Sequence, residues 1–306
     1  MTSQVVDQHS ENPFTPDRPA RKGFEFIGRE EALESVRNSL GHSPVDDPVI
    51  ICGPAGIGKT SLLYQLLEGA LNQPVTVLYA DIHTMDSGSF SGFLWQLAKA
   101  IMSRMEELQL EGPRIEKRML ILNPQLVFRQ RFWNPLLAKA RTMPLLMAWD
   151  NFDTLSGSIP GDHYRQALRA YLFDLLDTDQ PVDLLLSVTG RVEAIEKNAL
   201  APFQLKRSYR LTNLTEEQTL QLIRQPGRST IFGSVAEFIY SLTAGHPGDT
   251  HRLCHALYER QKLYKYRQVT IADVIAVLQD ALGPSNFVGD VYRRVGRPVT
   301  VSVQQS

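Results

Sequence analysis

The stretch Val49-Ile-Ile-Cys-Gly-Pro-Ala-Gly-Ile-Gly-Lys-Thr60 decides the fold. Val49 to Cys52 is a short apolar run of the kind that forms a buried strand. Gly53-Pro54-Ala55-Gly56-Ile57-Gly58-Lys59-Thr60 then fits Gly-x-x-x-x-Gly-Lys-Ser/Thr in full, and Leu62, Leu63, Leu66, Leu67 and Ala70 follow at helical spacing. Strand, glycine loop and helix in that order are the context in which the motif binds phosphate. The glycines let the backbone curl so that successive N–H groups face a β-phosphate, and the helix N-terminus adds about half a positive charge. Lys59 is expected to bridge β- and γ-phosphates. Thr60 is expected to ligate Mg²⁺, with Ser61 next to it on the helix.

Outward from the loop, Val75 to Asp81, Leu145 to Asp150 and Val182 to Thr189 are apolar runs too continuous for a half-exposed antiparallel sheet, so they read as buried parallel strands. Helical patterns lie at Arg29 to Leu40, Phe90 to Leu110, Gln125 to Arg141 and Tyr164 to Leu176, with a loop expected at Gly41 to Asp47. Tyr209 to Leu211 supplies a fifth strand. Strands alternating with helices predict an α/β fold of the P-loop class, a parallel sheet flanked by helices. After Leu211 strands disappear. Thr215 and Gln218 form a capping box, and further helices are expected at Ser234 to Leu242, Pro247 to Leu263 and Ile271 to Leu282, a small all-helical lid. The expected domains are 23–212 and 213–283. Residues 1–22, polar and carrying Pro13, Pro16 and Pro19, are expected to be an extended or disordered lead, and 284–306 a weakly patterned tail.

A magnesium nucleotide site also needs a carboxylate at the end of a neighbouring strand, and Asp150 ends Leu-Leu-Met-Ala-Trp-Asp. It is expected to hold the metal with Thr60, directly or through water. Hydrolysis further needs a group that orients or deprotonates water. The next residue is Asn151, an amide. Asp153 is the nearest remaining acid, and it reads equally as that catalytic group or as a helix-capping aspartate.

Composition narrows the partners. With 306 residues, 43% hydrophobic, 21% charged and net charge −1, no global field draws the chain to nucleic acid or an anionic membrane. No run of about 18 apolar residues occurs and the N-terminus lacks a signal-peptide pattern, so a cytoplasmic location is expected. Cys52 and Cys254 have no metal or disulfide spacing and read as small buried residues.

From about Asn12 to Leu282 the sequence resembles the STAND and origin-recognition branches of the AAA+ ATPases. Phe26-Ile-Gly28-Arg29-Glu-Glu looks like the motif that precedes their phosphate loop and borders the adenine pocket. Leu184 to Thr189 followed by Gly190-Arg191 looks like their sensor-1 strand, whose arginine contacts the γ-phosphate. Tyr209 to Gln218 resembles the junction into the helical lid. Gly245-His246-Pro247 resembles the motif whose proline packs over the base. The resemblance implies ATP or ADP with Mg²⁺, nucleotide contacts from Gly28, Arg29, His246 and Pro247, and Arg191 as a catalytic γ-phosphate sensor. Gly248-Asp249-Thr-His-Arg252 is similar to a second sensor with one extra residue before the arginine. Asn151 departs from the usual carboxylate, which implies slow turnover. Such proteins continue into a winged helix, repeats or an effector, so this chain is expected to be part of something longer.

Three functions fit. One is a slowly hydrolysing ATPase switch in which nucleotide state sets lid position and self-association or engagement of a protein partner. The second is a DNA-handling ATPase (initiator, loader or transposition helper) using Tyr258 to Arg267 and Arg293, Arg294 and Arg297. The third is an ATP-stabilised scaffold that does not cycle. No single arginine is named as a finger acting across subunits; Arg129, Arg131 and Arg141 precede the strand ending at Asp150 on a helix expected to be exposed. His251 and His255, four apart without a third ligand, read as surface or lid-packing residues, and His83 as a loop histidine.

Overall fold

The computed structural model describes residues 12–21, 26–40, 48–71, 74–85, 88–155, 163–176, 182–190, 207–224, 231, 233–265 and 268–281. The chain divides into two compact units, one drawn from residues 29–55 and 59–211, the other from 1–28, 56–58 and 212–306.

The larger unit is a five-stranded sheet with strands β1 (Val49–Gly53), β2 (Thr76–Asp81), β3 (Leu145–Asp150), β4 (Val182–Thr189) and β5 (Arg207–Arg210). Their order is β2-β3-β4-β1-β5 and every pairing is parallel. Parallel pairing requires a crossover after each strand, and the flanking helices are α1 (Glu30–Ser39), α2 (Lys59–Leu67), α3 (Phe90–Glu107), α4 (Pro124–Phe128), α5 (Asn134–Ala140) and α6 (His163–Leu176). Covered on both faces, β1 and β3 are buried at every position, which is why their sequences are apolar runs without alternation. At the edge, β5 carries Arg207, Ser208 and Arg210, a polar strand end that discourages further pairing. It begins two residues earlier than expected, and Leu211, expected to end it, continues only as an N–H donor to the Cys52 carbonyl at 2.9 Å.

The helix expected over 125–141 is interrupted. Arg129–Trp133 is π-helical between α4 and α5, and the Asn134 N–H reaches back to the Arg129 carbonyl. Pro135 explains the widening: it has no N–H, and its ring would strike the carbonyl four residues back in a regular helix. The wide turn places Phe128, Phe132 and Trp133 all in the core, where Trp133 Nε1 donates to the Leu175 carbonyl at 2.8 Å.

The smaller unit contains α7 (Glu216–Ile223), α8 (Gly233–Thr243), α9 (Pro247–Tyr264) and α10 (Ile271–Ala281). Thr215 and Gln218 form the expected capping box at the start of α7. Residues expected to lead in without structure are part of its core. Phe14 is 1% exposed among Ile223, Ile239, Leu253 and Leu257, the Asn12 amide donates to the His255 carbonyl at 3.1 Å, and His255 Nδ1 lies 2.7 Å from the Phe14 carbonyl. His251 meets the Phe14 ring edge-on, so both histidines pack against this segment. The 41–47 loop and the tail from 284, with Arg293, Arg294 and Arg297, lie outside the described residues, as do Phe24, Tyr266 and Arg267.

Candidate functional site

The strand register brings the chemistry to one edge of the sheet. Asp81 pairs with Asp150 and Gly53 with Thr189, so the C-terminal ends of β2, β3, β1 and β4 stand in a row. From β1 the chain leaves for one edge of the sheet and from β4 for the other, and ligands of open α/β sheets bind beyond the carboxyl ends at such a divergence.

Between β1 and α2 runs the glycine loop. Gly56 has φ +77° and Gly58 φ +104°, conformations that residues with a side chain avoid and that turn backbone N–H groups to one side. Helix α2 begins at Lys59, leaving its first N–H groups without intrahelical partners. The Lys59 ammonium is buried and donates to the carbonyls of Gly53 and Pro54 at 3.0 Å each, holding the two ends of the loop together. Burial pushes this ammonium below the ordinary lysine range, opposed by the charges of Asp153 and Asp150. Pro54 and Ala55 complete the first half of the loop, Ile57 is fully buried, and Ser61 follows Thr60 on α2.

Asp150 is fully buried and saturated with donors. Thr60 Oγ1 donates to Oδ2 at 2.7 Å and Tyr79 to the same oxygen at 3.3 Å; the Asn151 N–H donates to Oδ1 at 3.0 Å, as does Ser187 Oγ. A buried carboxylate requires such a shell. Burial raises the Tyr79 phenol well above its usual range, reinforced by the Asp150 charge, so it stays a donor. A hydroxyl and a carboxylate within 2.7 Å of each other at the mouth of a phosphate loop form a hard-oxygen donor set that suits Mg²⁺. Among the described residues no group of three or more His, Cys, Asp or Glu could hold a metal, and Thr60 and Asp150 are the residues that would hold Mg²⁺ here.

Beyond Asp150 the backbone of Asn151 turns to φ +54°. Its Nδ2 donates to Asp81 Oδ1 at 2.9 Å, and its N–H is shared with Ser187 Oγ at 3.1 Å. Asp153 Oδ1 accepts the Thr189 N–H at 3.0 Å, tying the turn after β3 to the end of β4. Burial raises the Asp153 carboxyl above its ordinary range, opposed by that bond and by Lys59. Tyr79, Asp81 and Ser187 were not picked out from the sequence. For Asp81 the signal was available, since like Asp150 it ends an apolar strand. Ser187 is one polar residue within Leu-Leu-Leu-Ser-Val and only the register reveals its role. Arg191 lies outside the described residues, although Gly190 before it donates its N–H to the Gly53 carbonyl at 3.0 Å.

Arg29 is buried, which lowers its guanidinium, and it precedes α1. Within the smaller unit, a Cβ on Gly28 would collide with the Gln218 side chain at 2.5 Å. The buried His246 caps α9, with Pro247 in its first turn. The Gly248 N–H donates to the Gly56 carbonyl at 3.1 Å, and Asp249, also buried, pairs with Arg252 at 2.8 Å. His83 is exposed. Arg129 pairs with Asp174, while Arg131 and Arg141 are exposed. In the 258–267 stretch, Tyr258 is buried and Arg260 is held by Asp280 at 3.1 Å and stacked on Tyr264.

A family model described as AAA ATPase domain matches residues 25–188, more than half of the chain. The chain belongs to that family. A comparison with curated protein sequences gives no match. Among solved structures, this AAA ATPase domain protein is similar to the Walker-type ATPase PABY2304 of Pyrococcus abyssi at 18% identity and TM-score 0.63, covering 92% of this chain and 80% of that one. It is similar to the ORC2 protein of Aeropyrum pernix, solved as ADPNP-ADP complexes, at 12% identity and TM-score 0.60, covering 90% and 73%. It is also similar to the ORC1 protein of the same organism, solved with DNA, at 15% and 0.56, covering 94% and 72%. At these identities the likeness establishes the P-loop ATPase fold. Membership of the AAA ATPase family implies nucleotide binding, and no helix among the described residues is long and apolar enough to cross a membrane.

Proposed function

We propose that this protein binds ATP with Mg²⁺ at residues 53–60 and hydrolyses it slowly as a STAND-type switch, in which nucleotide state sets the position of the helical unit and hence self-association or partner engagement. The observation that carries the reading is the Thr60–Asp150 pair beside Lys59. Loop N–H groups and the α2 N-terminus would cradle the phosphates, and Lys59 would exchange the Gly53 and Pro54 carbonyls for β- and γ-phosphate oxygens. Thr60 would hold Mg²⁺ directly and Asp150 through water; bound there, the metal neutralises charge developing on the phosphates. Arg191 would contact the γ-phosphate and lose that contact on hydrolysis. Gly28, Arg29, His246 and Pro247 would border the base. Asn151 supports slow turnover, because an amide takes no proton from water.

A DNA-handling function is the second reading, supported by likeness to ORC1 solved with DNA and to domain III of the Thermotoga maritima replication initiation protein DnaA, the latter at TM-score 0.52. Against it, Arg260, central to the basic stretch, is already paired with acids. Salt-sensitive duplex binding would favour it.

Phosphate release and nucleotide binding, measured side by side, test the first reading. The expected result is slow release from ATP by the wild type, with binding weakened at least tenfold in Lys59→Ala. Solution scattering should differ between ATP and ADP. Unchanged ATP affinity in Lys59→Ala would sink the site, and identical scattering would sink the switch.

A further inference from the structure

Asn151 stands where a carboxylate would serve the attacking water, and its neighbour in space is a carboxylate. Asp81 ends β2 in register with Asp150, and its Oδ1 accepts the Asn151 Nδ2 at 2.9 Å and the His83 N–H at 3.0 Å. A carboxylate only accepts, so this contact fixes which way the amide faces: Nδ2 towards Asp81, Oδ1 away from it. Both bonds fall on Asp81 Oδ1, so among the described residues Oδ2 carries no hydrogen bond, and the side chain is half-buried rather than sealed like Asp150. Asp153, the other acid near the turn, faces the end of β4, where its Oδ1 accepts the Thr189 N–H at 3.0 Å. The carboxylate and the amide are held as a pair across two adjacent strand ends, beside the acid that meets Thr60.

We propose that Asp81 is the catalytic carboxylate for ATP hydrolysis, with Asn151 as the positioning residue that orients it. The inference rests on the ATPase reading above. As the water oxygen bonds to the γ-phosphorus, the bond from that phosphorus to the β,γ-bridging oxygen breaks. The water proton passes to Asp81, and ADP keeps the electron pair of the broken bond. Asn151 fixes Asp81 by donating to Oδ1, and it sits in its left-handed conformation because its own N–H is held by Asp150 and Ser187. Chemically, the acid has moved to the neighbouring strand and the amide occupies its place.

The pair can be exchanged. Phosphate release and ATP affinity are measured for the wild type, Asp81→Asn, Asp153→Asn and the double variant Asp81→Asn with Asn151→Asp, with Lys59→Ala as the control for loss of binding. Loss of a positioned proton acceptor lowers rates by about 100-fold or more, so release by Asp81→Asn should fall by that much while ATP affinity stays within about threefold. The double variant restores one carboxylate and one amide in contact, and its rate should recover at least about tenfold over Asp81→Asn. A fall in Asp153→Asn as large as that expected of Asp81→Asn would also overturn the assignment. Near wild-type release by Asp81→Asn, or a double variant as slow as Asp81→Asn, overturns the assignment while leaving the ATPase reading intact. A wild type that binds ATP and releases no phosphate overturns both.

Discussion

Four donors from four different segments converge on Asp150: the first turn of α2, strand β2, strand β4 and the backbone just past β3. Asp153 sits three residues on in a drier setting than its backbone hydrogen bonds and the Lys59 charge can offset, and burial therefore holds its carboxyl above the ordinary 3.8. The folded chain binds that proton more tightly than the unfolded chain does. Its contribution to stability is therefore full below about 3.8 and is lost as pH rises through the higher folded value. Asp153→Asn keeps an oxygen for the Thr189 N–H and removes the titration. In nucleotide-free protein, the urea midpoint of this variant should lack the decline that the wild type shows over that window and should exceed the wild type at neutral pH. Parallel declines in both proteins would exclude Asp153 as the source.

At the scale of elements, what the sequence makes legible depends on how many faces are buried. Strands β3 and β4 begin and end where their mainly apolar runs do, because a doubly covered strand carries few polar positions to blur its limits, Asp183 and Ser187 being those inside β4. The edge strand β5 was harder to bound, since Arg207 and Ser208 belong to the ladder yet read as loop. The π-helical turn was invisible: Phe128, Phe132 and Trp133 fit a helix by spacing alone, and only Pro135 hinted at the break. The turn from α8 to α9 is the opposite case, where one glycine states its own reason. Gly245 has φ +76°, and a Cβ there would lie 2.0 Å from the Leu214 carbonyl oxygen, whose own N–H donates to the Gly245 carbonyl at 2.9 Å. Gly245→Ala combines left-handed strain of about 1–3 kcal/mol with overpacking of similar size. A loss of about 2–6 kcal/mol is expected by these terms together. All three tryptophans, Trp95, Trp133 and Trp149, belong to the α/β unit, so far-ultraviolet circular dichroism, and not tryptophan fluorescence, is the measurement that sees the helical unit. A midpoint within about 0.5 kcal/mol of wild type would show that the turn relaxes freely.

For the molecule as a whole, sequence reasoning reached the glycine loop between β1 and α2 and the strand-end Asp150 because each is a short motif in a context that names its place in the fold. It missed contacts that only the assembled chain creates. Phe14 is the clearest: flanked by Pro13 and Pro16 in a polar stretch, one aromatic has no period to announce burial, and its partners Leu253 and Leu257 are some 240 residues away in the chain. Contacts so distant in sequence close a long loop, yet the closure entropy grows only with the logarithm of loop length, so one well-buried ring with two flanking hydrogen bonds is enough to hold the segment. Phe14 is therefore a component of the helical core. Phe14→Ala should cost about 3–5 kcal/mol, the range for emptying a buried phenylalanine site. Its effect should appear in circular dichroism. Asn12→Ala, which removes the bonds to the His255 carbonyl and to Glu259 and the acceptor of the Phe14 N–H, should cost less, about 1–3 kcal/mol. If Phe14→Ala changed stability by less than Asn12→Ala does, the ring would be resting on the helices rather than filling their core, and the segment would belong outside the domain after all.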